Sequence, residues 1–259
     1  MKFGTLQSVL GEPLDSVFSV AARLGFEGVE LDWNAPDQTF DTATIRRNAA
    51  DAGVAVCSVA AHFLNGGNIA NPENAHRAKD SIQAGIELCS ELGAGVLLVP
   101  FFGPAEITDA TESLLIENLQ KLAPEAQGAQ VRLGIETARS GAQMKRVFEQ
   151  VGSRFVGAYW DMANGMSLGY TNSEEIEHLA PHLVQVHAKE WSGPGIAQGP
   201  GQYPGLNRVA LGEGDVPLRD TLAALQSAGY DGWIVLETGA FGDAHDSARR
   251  ALETLHRWA

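Results

Sequence analysis

The sequence predicts an α/β fold, a closed (β/α)₈ barrel built as one domain over residues 1–259, and three observations lead there. First, a helix-like segment repeatedly ends at a glycine, and a β-rich run begins within a few residues. This pattern is seen at Leu24-Gly25-Phe26-Glu27-Gly28-Val29-Glu30-Leu31, Ala52-Gly53-Val54-Ala55-Val56 and Leu92-Gly93-Ala94-Gly95-Val96-Leu97-Leu98-Val99, and again around Gly128, Gly152 and Gly229. Glycine suits the left-handed position just past a helix end, so each occurrence reads as helix stop, tight turn and strand start. Second, the β-rich runs number eight, at 2–7, 28–32, 54–60, 95–100, 131–136, 155–161, 183–187 and 233–237. Strands alternating with helices imply βαβ units and a parallel sheet, and eight of them point to closure rather than an open sheet. Third, 259 residues match one barrel domain of about 250, and no linker or composition break divides them.

The intervening helices are amphipathic. Leu14, Val17, Phe18, Ala21 and Leu24 fall at helical spacing before the second strand. Ile82, Ile86, Cys89 and Leu92 share a face before the fourth. Asp215, Pro217, Leu218, Leu222 and Leu225 read as an N-cap, an early proline and an apolar face. Thr254, Leu255 and Trp258 close the final helix against the barrel. The short-loop rule fails once, at residues 189–214, where eight glycines and prolines between Gly193 and Gly205 exclude a helix. That segment leaves the seventh strand, so it is expected over the C-terminal mouth of the barrel, covering substrate or touching another subunit.

Composition narrows the function. A hydrophobic fraction of 44% supports a large core, but no apolar run reaches the roughly 18–20 residues that span a bilayer. No membrane role and no secretory signal are expected. The two cysteines, Cys57 and Cys89, fall in apolar contexts far apart and read as core residues, which suits a reducing cytoplasm. A formal net charge of −14 argues against a nucleic-acid partner, which needs a basic stripe to neutralise phosphates.

Four consecutive strands, the fifth to the eighth, end in Glu136, Asp161, His187 and Glu237. Parallel strands of one barrel bring such residues to a common rim. Three buried carboxylates together are costly and would force protonation, unless a cation joins them. We therefore expect one divalent metal ion. Oxygen ligands with one imidazole and no thiolate suit Mn²⁺ first, with Mg²⁺, Co²⁺ or Zn²⁺ as alternatives. No P-loop and no dinucleotide fingerprint follows a strand.

Five segments carry a resemblance that covers nearly the whole chain: Gly134-Ile135-Glu136-Thr137, Trp160-Asp161-Met162-Ala163-Asn164, Val186-His187-Ala188-Lys189-Glu190, Leu211-Gly212-Glu213-Gly214-Asp215-Val216 and Val235-Leu236-Glu237-Thr238. Together they resemble the xylose isomerase-like TIM barrel superfamily of sugar isomerases and epimerases, especially its ketose 3-epimerase branch. The resemblance implies a metal-dependent isomerase or epimerase of a small carbohydrate. It also implies that Glu136 and Glu237 both hold the metal and exchange protons with substrate as the catalytic pair. Relatives of this kind are commonly homodimers or homotetramers. The scaffold also carries dehydratases and apurinic-site endonucleases, so a dehydratase or lyase and a non-catalytic sugar-binding protein stand as rivals. The endonuclease pattern departs here: Pro100-Phe101-Phe102-Gly103 follows the fourth strand, and Asn164 stands three residues beyond Asp161, where those enzymes place histidines.

The substrate-binding candidates are His62, Glu30, Arg139, Lys189 and Asn164. His62 ends the third strand and either contacts substrate or is a satisfied structural histidine. Glu30 ends the second and either meets a sugar hydroxyl or orients His62. Arg139 and Lys189 follow the Glu136 and His187 strands and either hold substrate oxygens, or a phosphate, or sit in solvent.

Overall fold

The computed structural model of the chain describes residues 1–193, 206 and 209–259. Eight parallel strands close into a barrel in sequence order, β1 next to both β2 and β8. They are β1 (Lys2–Leu6), β2 (Gly28–Trp33), β3 (Ala55–Ala61), β4 (Val96–Phe101), β5 (Arg132–Thr137), β6 (Val156–Asp161), β7 (Leu183–Ala188) and β8 (Trp233–Leu236). The main helices are α1 (Gln7–Leu10), α2 (Val17–Leu24), α3 (Thr42–Ala52), α4 (Ala75–Leu92), α5 (Glu112–Ala129), α6 (Gly141–Val151), α7 (Asn172–Leu179), α8 (Leu218–Ser227) and α9 (Ala244–Trp258). Every residue of β2, β4 and β6 is buried, as strands covered on both faces should be. The same logic makes β4, Val96-Leu97-Leu98-Val99-Pro100-Phe101, read as an apolar run rather than an alternation.

The glycine punctuation operates largely as the sequence suggests. Gly25 and Gly93 follow α2 and α4 with φ of 97° and 73°, values that L-residues with a Cβ avoid. Gly128 departs from the expectation. It lies inside α5, and Gln130 takes the left-handed position after that helix with φ 58°. Asp215 also departs. Pro217 occupies the position before α8, and the Asp215 carboxylate instead accepts from the Gly193 N–H at 3.2 Å. Leu218, Leu222 and Leu225 are buried, as their spacing requires.

Two register irregularities matter for the site. β2 and β3 slip between Val29 and Glu30, and β6 and β7 slip between Ala158 and Tyr159. Such irregularities re-aim side chains and concentrate near functional sites. Among the described residues no helix is long and apolar enough to cross a membrane.

Close packing at the barrel wall yields a stability test. A Cβ on Gly157 would lie 2.2 Å from the His182 carbonyl oxygen, whereas one on Gly95 meets nothing within 4 Å. Gly157→Ala is expected to destabilise by about 1–3 kcal/mol or more. Gly95→Ala should stay within about 0.5 kcal/mol of the parent in urea unfolding.

Candidate metal centre

The ends of β5 to β8 bring the four expected side chains together. One ligand atom each from Glu136, Asp161, His187 and Glu237 lie within 4.8 Å of one another. Asp161 and His187 are register partners across β6 and β7, and Glu237 follows β8 directly. Glu136 stands opposite Pro100 on β5. Strand register alone thus places the group at the C-terminal mouth.

The hydrogen bonds leave these side chains poised for a cation. Asp161 Oδ1 accepts from the backbone N–H groups of Ala163 and Asn164 at 2.8 and 2.7 Å, which turns Oδ2 toward the cluster. Asp161 Oδ2, His187 Nδ1 and Glu237 Oε2 are buried and make no hydrogen bond of regular geometry. His187 Nδ1 lies 2.9 Å from Glu237 Oε2 and 3.5 Å from Glu136 Oε1 without hydrogen-bond alignment. Buried polar atoms left so are rare. Two carboxylate oxygens and an imidazole nitrogen converging on one point, with Glu136 beside them, are a donor set that fits a hard or borderline divalent ion.

Lys189 supplies the one ammonium in this cluster among the described residues. Its Nζ lies 2.7 Å from Glu237 Oε2 and 3.2 Å from Asp161 Oδ2. Asn164 bridges the two sides, donating from Nδ2 to Glu136 Oε1 at 3.3 Å and accepting from Lys189 at 3.5 Å. Charge crowding shows in the ionisation. Burial raises Asp161 to about 6; Lys189 opposes that rise, and Glu237 and Glu136 add to it. Against burial, Lys189 and His187 hold the Glu237 carboxyl well below the usual range. Glu237 and Glu30 draw His187 upward, also against burial. Such mutual shifts mark a cluster that cannot all ionise at ease.

The remaining candidates divide. His62 stands at the rim on the turn after β3 with its side chain 31% exposed, and its Nε2 lies 2.8 Å from Asp32 Oδ1. Asp32, on β2, is in turn fixed by the Ser8 N–H at 2.8 Å. Glu30 contradicts both readings made of it. It is fully buried in β2, two residues short of Asp32, and bonds to His187 rather than His62 or the mouth. The alternation of a strand explains this, because Glu30 and Asp32 point to one side at different depths. Arg139 is engaged at one nitrogen, while its Nε and Nη1 are buried without a hydrogen bond in a cavity also lined by Asp161 and Asn164. Its Nη2 reaches Asp109 at 2.8 Å and Glu112 at 3.1 Å, clamping the loop before α5. No hydrogen bond or ion pair among the described residues joins it to the four clustered side chains.

A family model described as "Xylose isomerase-like TIM barrel" matches residues 18–258. The chain belongs to this family. A putative hydroxypyruvate isomerase of Streptomyces coelicolor is 27% identical over 243 residues, 85% of this chain and 83% of that protein. A 2-epi-5-epi-valiolone 7-phosphate 2-epimerase of Actinoplanes is 27% identical over 251 residues, 93% of this chain and 88% of that one. Among solved structures, a D-allulose 3-epimerase from Methylomonas superposes with a TM-score of 0.81 at 16% identity, over 100% of this chain and 97% of that one.

Several residues of this xylose isomerase-like barrel escaped the sequence reading. Ser58, Tyr159 and Gln185 surround Glu30 beneath the cluster. The available signal was period two: Tyr159 with Asp161 and Gln185 with His187 share a face. Glu190 is fully buried. It gathers the ends of the long loop, accepting from the N–H groups of Trp191 and Val216 at 3.0 Å and of Gly212 at 2.7 Å. A Cβ on Gly214 would lie 2.5 Å from its Oε1, so the glycine is required there. Trp191 pairs with Leu206 across the loop. Most of the segment expected over the mouth, residues 194–205, 207 and 208, lies outside the described residues.

Beside the cluster, Glu175 of α7 accepts from the Gly141 N–H through both oxygens, at 2.8 and 2.9 Å. Burial raises its carboxyl to about 7, against that bond. Its native value exceeds the unfolded one, so its contribution to stability is full below about pH 4.5 and is lost as pH rises through about 7. Glu175→Gln is expected to flatten the urea-unfolding stability between pH 5 and 8.

Proposed function

We propose that this protein is a divalent-metal-dependent isomerase or epimerase acting by proton transfer on a small ketose, aldose or related polyhydroxy carbonyl compound. The observation that carries the reading is the convergence of three buried atoms, Asp161 Oδ2, His187 Nδ1 and Glu237 Oε2, held among the described residues only by ion-pair contacts within the cluster, with Glu136 beside them. A bound divalent ion, Mn²⁺ first, would supply Lewis-acid stabilisation of the charge on an enediolate formed next to the carbonyl. The isomerases and epimerases among the relatives support this class of reaction.

The chain's own residues account for the proton. Glu136 and Glu237 come from the two outer strands of the four, with Asp161 and His187 between them. A substrate seated over the cluster therefore has a carboxylate on either side. One removes the proton and the other returns it on the opposite face, which inverts the carbon. Return by the same group to the neighbouring carbon isomerises instead. Lys189 and Asn164 hold the substrate's oxygens at the cluster, and His62 meets it from the rim. The reading places the enzyme in the cytoplasm.

Two measurements test this proposal. Free Mn²⁺ at about a hundred times its Kd should raise Tm by about 5–10 °C with one ion per chain, reversed by a chelator. Glu237→Gln should lower solvent-deuterium incorporation at the substrate's α-carbon by about 10²-fold or more, read by proton NMR across a panel of ketoses and aldoses. Unchanged incorporation would remove Glu237 from the chemistry.

A lyase on the same cluster draws on one further observation. The hydrogen bond and charge of Asp32 raise His62, against burial, toward an imidazolium able to protonate a departing hydroxyl. Products lighter by one water in the mass spectrum would favour it.

A further inference from the structure

Beneath the cluster, inside the barrel, lies a polar layer that meets the mouth at His187. Glu30 and Ser58 are fully buried at its centre, with Gln185, and Tyr159 is 1% exposed. A barrel interior is ordinarily filled with branched apolar side chains, so four linked polar groups there need a purpose. Their hydrogen bonds have one direction. Gln185 Nε2 donates to Ser58 Oγ at 2.6 Å and to Tyr159 Oη at 2.9 Å. Those hydroxyls donate in turn to Glu30 Oε2, at 2.5 and 2.7 Å. The other carboxylate oxygen, Oε1, lies 2.8 Å from His187 Nε2. Both hydroxyls donate to Glu30, and an ionised, acceptor-only carboxylate is satisfied at its third contact when His187 Nε2 carries the proton there.

From this geometry we infer that Glu30 is a positioning residue: it accepts a hydrogen bond from the His187 Nε2–H and so commits Nδ1 as the atom offered to the metal. The inference rests on the metal reading above. Its physical basis is that an imidazole's two nitrogens are coupled, and the bond made by one decides the role of the other. Ligating histidines characteristically give their second N–H to a carboxylate, which fixes tautomer and ring orientation. Here the ring is further confined by Tyr159, whose centroid lies 4.4 Å away, tilted 56°. Both strand irregularities fall beside this layer, at Glu30 and at Tyr159, as expected if the backbone is bent to aim these two side chains. Gly134 adds room, because a Cβ there would lie 2.9 Å from Tyr159 Cδ2. The layer ties β2, β3, β6 and β7 to one ligand atom.

The test measures binding and proton placement rather than turnover. Mn²⁺ affinity is compared by calorimetry in the parent chain and in Glu30→Gln, which keeps the shape but turns one acceptor oxygen into a donor. A 10- to 100-fold weaker Kd is expected. Ser58→Ala and Tyr159→Phe, which each remove one donor and keep the carboxylate, should weaken it by about two- to tenfold. In the Mg²⁺-loaded parent, long-range proton–nitrogen NMR should show the His187 proton on Nε2 and none on Nδ1. This spectrum decides the matter even if Glu30→Gln fails to fold. A proton on Nδ1, or Glu30→Gln binding as tightly as the parent, overturns the inference and leaves the metal centre standing. A parent chain that binds no divalent ion sinks the metal centre, and this inference with it.

Discussion

Three carboxylates brought side by side at the end of a barrel repel one another, and much of this structure is organised around that repulsion. Glu136, Asp161 and Glu237 are each too buried to be relieved by water alone. Desolvation in a low-dielectric interior penalises every negative charge added. The chain answers with what lies within reach. Two backbone N–H groups hold one oxygen of Asp161, Asn164 props Glu136, and Lys189 places its ammonium between Asp161 and Glu237. With a dication among the carboxylates, as we propose, the metal and Lys189 together cancel their three charges. Without one, the strain shows in the opposed shifts of Asp161 and Glu237.

The barrel extends this arrangement inward. A fully buried carboxylate, Glu30, would be an expense in any core, and here partners from three other strands share it. Rigid strands suit such a layer, because side chains built on them are held more precisely than side chains on loops. The loops do the complementary work. Glu190 collects backbone N–H groups from both ends of the long segment after β7 and so fixes the chain next to Lys189. Arg139 does the same for the loop before α5 through Asp109 and Glu112. These charged residues adjoin the cluster in sequence, yet their side chains are engaged in holding loops.

Much of this was legible beforehand, for identifiable reasons. Strand positions follow from apolar runs and glycine stops, both local properties. The four-residue cluster follows because each member ends a strand, and closure then carries strand ends to one rim. Legibility failed where direction mattered. Arg139 sits three residues past Glu136, but a long side chain on a loop can reach elsewhere, and its Nη2 pairs with Asp109 and Glu112. Asp215 looked like a helix cap, yet its carboxylate accepts from the Gly193 N–H across the loop. Gly128 looked like a helix stop, but α5 ran on to Ala129 and left Gln130 to turn the chain.

By itself, then, the order of residues determined the barrel, the number of its strands and the identity of the four groups at its mouth, because periodicity and strand ends are written along the chain. Only the tertiary structure decided that Glu30 lies under His187 instead of facing the mouth, and that Ser58, Tyr159 and Gln185 join it. Those residues are as far apart as 157 positions in sequence. Their meeting depends on barrel closure, register slips and depth, none of which any short stretch encodes.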